Sequence, residues 1–378
     1  MNNNIVIVGG GIAGLCAAIA FQHLGIQVKV YERSPEPTVA GAGIIIAPNA
    51  LQALEPYGIA AQIIRAGKAS ESFHLLSEKG EMLTKLTVPS GSQKMYSIHR
   101  KDLHHLLLSA LHPGTVEWGK ECRVIQQDDH GVRVHFADGS IAEGSILVAA
   151  DGIHSGVRKQ LLTKDIYRYA GYTCWRGVVS SDGLPGLSEH FIETWGTKGR
   201  FGIVPLPHHQ VYWYALVNAP PNEARYANFT AQDLLPIFED YHMPIPGLLK
   251  KTEPHQIIHR DIADIVPLKR FYEKRIVFIG DAAHAITPNV GQGACQAIED
   301  ARVLADCIEQ YSDIHEAFVQ YDIRRRKRAV KISNLSWMLG KIAQSESSIL
   351  TAGRNWIMRH TPKSISQNRV QDLYKFHY

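Results

Sequence analysis

The chain has 378 residues, 45% hydrophobic and 20% charged, with 31 Gly and 18 Pro; this is the composition of a folded globular protein and excludes disordered, collagenous and low-complexity classes. Forty Lys+Arg against 36 Asp+Glu leave a net charge of +4, too weak over so large a surface for a nucleic-acid footprint. Five scattered cysteines without a Cys-x-x-Cys pair, an N-terminus without a charged leader and no apolar run of spanning length predict free thiols and a cytoplasmic protein without stable membrane insertion.

Ile5 to Val8 is a short apolar run ended by three glycines, as in a strand buried on both faces of a parallel sheet. Ile12 to Leu24 follows as a helix stopped by Gly25, and Gln27 to Glu32 returns as a second strand, completing a βαβ unit. Phe73 to Thr87 predicts a pair of strands and Arg100 to Leu111 a helix. Val132 to Phe136, an Asp138-Gly139 turn and Ser140 to Ile141 predict a hairpin, and Ile146 to Ala149 another buried strand.

From Gly171 to Val217 the texture changes to long alternating segments, notably Arg200 to Leu206 and Gln210 to Val217, the pattern of an antiparallel sheet. After Pro267 the first texture returns, with a strand at Arg275 to Ile279 and helices from Gly291 to Cys307 and from Asp313 toward Trp337. The basic run Arg324 to Arg328 falls inside this last helix and predicts a solvated face. The order predicts an α/β protein whose discontinuous Rossmann-like nucleotide-binding domain (1–70, 97–167 and 268–340) accepts a mainly antiparallel β-sheet domain (71–96 and 168–267) and ends in a helical tail, 341–378. That tail is expected to cover the nucleotide domain, or to offer Ile349, Leu350, Trp356 and Ile357 to association.

The first chemical signal is Gly9-x-Gly11-x-x-Gly14, placed between a strand and a helix. Gly9 permits the tight turn, Gly11 lets backbone approach a diphosphate, and Gly14 lets helix and strand pack closely. Free N–H groups at the helix start, at Ile12 and Ala13, favour an anion there. Glycines at this spacing arise by chance about 0.2 times in a chain of this composition, so context decides. Glu32, with Arg33 after it, ends the second strand where an acid accepts ribose hydroxyls and disfavours a 2′-phosphate. The fingerprint leaves FAD and NAD equally open.

Two further segments follow apolar strands: Asp151-Gly152-Ile153-His154-Ser155-Gly156-Val157-Arg158, and Gly280-Asp281-Ala282-Ala283-His284 continuing through Pro288 to Gly291-Gln292-Gly293-Ala294 and Glu299-Asp300. With the fingerprint, and in this order, they resemble the signatures of the class A flavoprotein monooxygenases, the p-hydroxybenzoate hydroxylase family, over nearly the whole chain. The resemblance implies FAD as cofactor and makes the nucleotide domain an FAD domain. It implies that Arg100 contacts the diphosphate, that backbone at Val124 meets the adenine, and that Asp151 organises the nucleotide side. Asp281 would accept ribityl hydroxyls, and Pro288, Gly291, Gly293 and Ala294 would meet the flavin ring. A helix N-terminus at that ring favours the negative charge gained on reduction.

Tyr169 to Gly177, Arg200 to Leu206 and Val211 to Tyr214 resemble the urate hydroxylase, salicylate hydroxylase and zeaxanthin epoxidase branch. Arg200 and Tyr212 match positions where urate hydroxylases carry a substrate-facing Arg and Tyr, whereas Arg176 falls where those enzymes have an uncharged polar residue. The expectation is that Arg200, with Arg176, holds an anionic or strongly polar planar substrate, since guanidinium offers a flat fork of donors; the bland alternative places both on an exposed sheet face. Cys174 and Cys295 read as packing residues, and His284 as a structural residue.

By the resemblance, NADH or NADPH transiently reduces FAD without a nicotinamide domain of its own, O2 forms a flavin C4a-hydroperoxide, and a small aromatic or heteroaromatic substrate is hydroxylated. No catalytic acid or base is assigned. Two alternatives are a flavoprotein epoxidase or reductase of a polyprenyl or carotenoid lipid, and a non-catalytic binding protein on the same scaffold.

Overall fold

Ile5 to Val8 are all buried, and β1 (Asn4–Val8) therefore lies in the middle of a sheet with no side turned to water. The computed structural model describes residues 4–37, 42–88, 94–162, 166–362 and 372–376. From β1 the chain passes through the glycine turn into α1 (Ile12–His23), back along β2 (Gln27–Glu32), and on to β3 (Gly43–Ile46), α2 (Pro48–Leu54), α3 (Ile59–Ala66) and β4 (Lys68–Ser70). The hairpin β5 (Ser72–Ser77) and β6 (Met82–Thr87) comes next, then β7 (Met95–His99), α4 (Arg100–Ser109), β8 (Val116–Trp118), β9 (Cys122–Gln127), β10 (Val132–Phe136), β11 (Ile141–Gly144), β12 (Ile146–Ala149) and α5 (Gly156–Leu161).

The long strands β13 (Tyr167–Ser180), β14 (Phe191–Trp195), β15 (Arg200–Leu206) and β16 (Gln210–Asn218) follow, with helices α6 (Ala231–Phe238) and α7 (Ile245–Lys251) before β17 (Ile258–Ile265). The chain then forms β18 (Tyr272–Glu273), β19 (Ile276–Phe278), α8 (Asp281–His284), α9 (Gly293–Gln310), α10 (Ile314–Ala343) and α11 (Ser348–His360).

A six-stranded sheet runs β18-β19-β12-β1-β2-β8 and is parallel except for the β18 edge. Strands far apart in sequence meet in it, since β12 lies beside β1 and β19 beside β12. A seven-stranded sheet runs β17-β13-β16-β15-β14-β5-β6 and is antiparallel except where β14 meets β5. The fold is thus α/β, a discontinuous Rossmann-like nucleotide-binding domain with an inserted, mainly antiparallel sheet. Three-stranded sheets β11-β10-β9 and β3-β7-β4 complete it; the strands of the latter, three to five residues long, are too short to carry a periodic signal.

Alternation along β13 sorts its side chains onto two faces. Trp175 packs with Trp213, Phe201 and Phe238 under α6 and α7, and burying each such ring contributes roughly 1.5–3 kcal/mol. Tyr172, Cys174 and Arg176 occupy the opposite face, toward the nucleotide-binding domain.

Two expectations are corrected. The basic run is not a solvated face: Arg325 is fully buried on α10, and only residues such as Lys327 point outward. Five consecutive residues exceed one helical turn, so part of any such run faces inward. The tail does not chiefly cover the nucleotide-binding domain either. Met358 of α11 packs with Leu75, Leu83 and Trp195 of the antiparallel sheet, Arg354 stacks 5.0 Å from the Trp195 ring and donates to the Ala343 carbonyl at 3.1 Å, and Arg359 pairs with Glu81. Among the described residues of the tail, 372–376 return to the nucleotide side, where Arg328 donates to the carbonyls of Asp372, Leu373 and Lys375. The stretch 363–371 of the expected tail lies outside the described residues. All five cysteines are free, and no helix among the described residues is long and apolar enough to cross a membrane.

Candidate functional site

Three chain segments meet at the C-terminal ends of β1, β12 and β19, where ligands sit in open parallel sheets. Gly9 has φ +110°, and a Cβ there would collide with the Ala150 carbonyl just before Asp151. A Cβ on Gly14 would collide with the Gly9 carbonyl, so the fingerprint glycines pack against each other and against the Asp-Gly segment. Gly280 has φ +57° and lies against Ala13 of α1 and Ala297 of α9. Buried Arg158 ties the other two segments together, donating to the Ala282 carbonyl at 2.9 Å and the Ile153 carbonyl at 2.5 Å.

The fingerprint loop is braced by one acceptor and one donor from outside it. Glu32 accepts from the Gly10 N–H at 2.6 Å and the Ser34 N–H at 2.9 Å, and His104 of α4 bonds the Gly10 carbonyl at 2.9 Å. Ile12 and Ala13 open α1, whereas Gly11 is exposed and a Cβ there would touch nothing within 4 Å. Arg33 is exposed just beyond β2, and Arg100 opens α4 with its N–H donated to the Ala42 carbonyl at 2.8 Å. Val124 pairs with His135 in the small β9–β10 sheet, its side chain outward; neighbouring Cys122 is near enough to Asp151 for the carboxylate to add to the burial that pushes its thiol up to about 12.

Two carboxylates face the junction. Asp151 accepts from the Val157 N–H at 3.0 Å through one oxygen, while its other oxygen is buried without a partner; burial pushes its pKa up. Asp281 is open at the surface of the recess yet enclosed by protein, and burial raises its pKa against the pull of His284, Arg100 and Arg158. Gln292, at the N-cap of α9, has a buried amide nitrogen without a partner, and so has the side-chain oxygen of Asn49 beside it. Pro288 starts a 3-10 turn ended by left-handed Gly291, and Gly291 and Gly293 leave backbone uncovered ahead of Ala294. A glycine cradle with a free helix N-terminus, a carboxylate at each neighbouring strand end and unspent buried donors and acceptors fit a dinucleotide carrying a polar ring system.

Behind that helix start lies an ionic network that sequence reasoning missed. Arg325 donates to Asp300 at 2.7 Å, to the Gln296 side chain at 2.8 Å and to Glu299. Asp300 also accepts from the Gly280 N–H at 2.8 Å and bonds His284 at 2.5 Å, while Glu299 accepts from Arg328 at 2.9 Å and Asn49 at 2.6 Å. Burial pushes both carboxyls up, but Arg325, with Arg328 at Glu299 and His284 at Asp300, outweighs it and holds them below the usual range. Cys295 is a buried packing residue, its thiol pushed up to about 12 by burial.

The wall opposite is the inner face of the antiparallel sheet. Tyr212 lies against Gly43 of β3, and burial raises its hydroxyl to about 12 although Arg176 and Arg100 pull the other way; it stays protonated at neutral pH. Arg200 is not on an exposed face: it is 1% exposed, bonded to Gln344 at 2.8 Å, Asn289 at 2.8 Å and Glu193 at 3.2 Å. Glu193 was unremarked in the sequence, though an acid at an inward position of an otherwise apolar strand was the available signal. A separate open recess of about 510 Å³, bounded by Tyr172, Asn218, Lys341 and Gln344, lies at the sheet–α10 edge, where the Tyr172 hydroxyl is hydrogen-bonded to Asn289 of the Pro288–Gly291 turn.

Fold and site together define a flavoprotein oxidoreductase. Residues 2–335 match the FAD binding domain family. Over 371 residues the chain is 35% identical to the aurachin C monooxygenase/isomerase of Stigmatella aurantiaca, covering 97% of this chain and 95% of that protein. It is 31% identical to the FAD-dependent urate hydroxylase of Klebsiella pneumoniae over 85% of this chain and 86% of that one. The crystal structure of Klebsiella pneumoniae HpxO complexed with FAD and uric acid superposes with a TM-score of 0.89 at 28% identity, covering 98% and 96% of the two chains. The chain belongs to the FAD binding domain family, among the class A FAD-dependent aromatic monooxygenases, and is an enzyme with FAD as cofactor.

Proposed function

We propose that the protein is a cytoplasmic single-component hydroxylase that uses NADH or NADPH and O2 to oxygenate a small planar aromatic or heteroaromatic compound. The observation that carries this reading is the meeting of the three strand-end motifs opposite a sheet face bearing Arg176, Tyr212 and Tyr214. Residues 1–70, 97–167 and 268–340 would form the FAD domain, 71–96 and 168–267 the substrate domain, and 341–378 the helical tail.

Gly9, Gly11 and Gly14, with the N–H groups of Ile12 and Ala13, would hold the diphosphate together with Arg100. Glu32, Arg33 and the backbone of Val124 would hold the adenosine, Asp151 the nucleotide side, and Asp281 the ribityl hydroxyls. The backbone from Pro288 through Gly291 and Gly293 to Ala294 would meet the pyrimidine edge of the ring. When bound, the flavin supplies the hydride acceptance and oxygen activation that no side chain can. The protein's own part is positional: it places the ring of the substrate against the sheet wall, donates from neutral Tyr212, and excludes water.

The test is oxidation of NADH and NADPH by the purified yellow protein across a panel of phenols, purines, pyridines and quinolones, with product analysed under ¹⁸O2. One compound class is expected to stimulate oxidation and to carry one labelled oxygen. Stimulation without label in the product would refute hydroxylation.

A further inference from the structure

The sheet wall has an electrostatic asymmetry between its arginines. Arg168 is bidentate to Asp264, both bonds at 2.8 Å. Arg200 is equally committed: Glu193 lies 3.2 Å away, and its other two nitrogens donate to Gln344 and Asn289. Glu193 is saturated in turn, accepting the Tyr214 hydroxyl at 2.6 Å and the Trp195 indole N–H at 2.7 Å. Tyr214 reaches it because Gly202, its neighbour on β15, has no side chain to block the ring. A buried guanidinium with a carboxylate and all three nitrogens engaged offers an incoming ligand almost no net charge.

Arg176 is different. It is half-buried on β13, its Nε donates only to the Cys174 sulfur at 3.4 Å, and it takes part in none of the ion pairs among the described residues, in contrast to Arg168 and Arg200. Strand pairing puts Arg176 on the same sheet face as Tyr212 and Tyr214, and Tyr212 lies against Gly43 of β3. Arg176 therefore lies on the side of the sheet facing the cofactor motifs. A partly desolvated cation without a counter-charge is unfavourable until something supplies one.

We infer that Arg176, rather than Arg200, sets the charge of the substrate: the site takes a planar ring carrying one negative charge, whose anionic oxygen pairs with Arg176, while Glu193 keeps Arg200 out of the competition. The inference rests on the cleft being an aromatic hydroxylase site.

Calorimetric titration with two matched pairs, salicylate against salicylamide and 2-naphthoate against 2-naphthamide, reads the inference whether or not flavin is bound. A colourless protein would thus defeat the functional reading while the charge preference is still measured. The wild-type protein is expected to bind each anion about tenfold more tightly than its amide, the worth of one charge-assisted pair. Arg176→Gln should reduce that ratio to about one and Arg176→Lys should restore most of it. Glu193→Gln, which releases the charge of Arg200, should raise the ratio several-fold above wild type. Equal or no binding of anions and amides by the wild type overturns the inference, as does an anion preference that survives in Arg176→Gln. If Arg176→Gln does not fold, the Glu193→Gln arm decides: an unchanged or lowered ratio there overturns it.

Discussion

Single residues in this protein are constrained by what lies opposite them. Gly14→Ala would drive a methyl group into the Gly9 carbonyl and separate the first turn of α1 from the loop that a diphosphate needs. The purified variant is expected to carry little flavin, measured as the ratio of visible to ultraviolet absorption, while its circular dichroism stays near wild type. Arg325→Ala would leave Glu299 and Asp300 buried beside too little positive charge. Breaking a buried pair this way costs about 3–5 kcal/mol, to be read from the midpoint of chemical unfolding. The arginine differs in no visible way from Arg324 or Arg326 in the sequence; only its place on the inward side of α10 separates them.

Among the elements, α11 is the one whose position sequence reading misjudged. Its inward residues Thr351 and Arg354 are buried and Met358 packs on the sheet core, whereas Ile349 is 82% and Trp356 62% exposed. An apolar residue inside an amphipathic helix does not by itself say which face finds a partner. Arg354 pins the helix through Trp195 and the last carbonyls of α10. Removing it forfeits a cation–π contact and leaves carbonyls unpaired, together about 1–3 kcal/mol. Arg354→Ala is therefore expected to speed proteolytic clipping after α10 while flavin content is retained. α9 shows the opposite case, since its glycine-rich start and apolar spacing were legible and the helix runs Gly293–Gln310.

At the scale of the whole molecule, two sets of carboxylates respond to pH in opposite senses. Glu299 and Asp300 are held below their ordinary values, so they contribute stability that is present above the unfolded-state carboxylate range and lost as pH falls through their folded values. Asp151 and Asp281 are raised by burial; the folded state keeps their protons where the unfolded chain has lost them, so they subtract stability as pH rises from about 3.9 through the raised values. Hydroxyl donors of a bound nucleotide favour the ionised form of the second pair. FAD at a hundredfold excess over its Kd stabilises by about 2.7 kcal/mol, and that increment is expected to shrink as pH is lowered toward the carboxylate range, measured as the Tm difference with and without added FAD. Asp281→Asn should flatten the dependence. The parallel and antiparallel textures, the glycine turn, the acid at Glu32 and the three strand-end motifs were all readable in the chain, because strand periodicity and glycine conformation are properties of a few neighbouring residues. The sequence by itself therefore determined the fold class, and its resemblance to the class A flavoprotein monooxygenases implied the cofactor. Only the tertiary structure decided that Arg325 is buried, that Arg200 is neutralised by Glu193 across adjacent strands, and that Arg176 is not, because charge compensation depends on which distant side chains the sheet register and helix packing bring within a few ångströms.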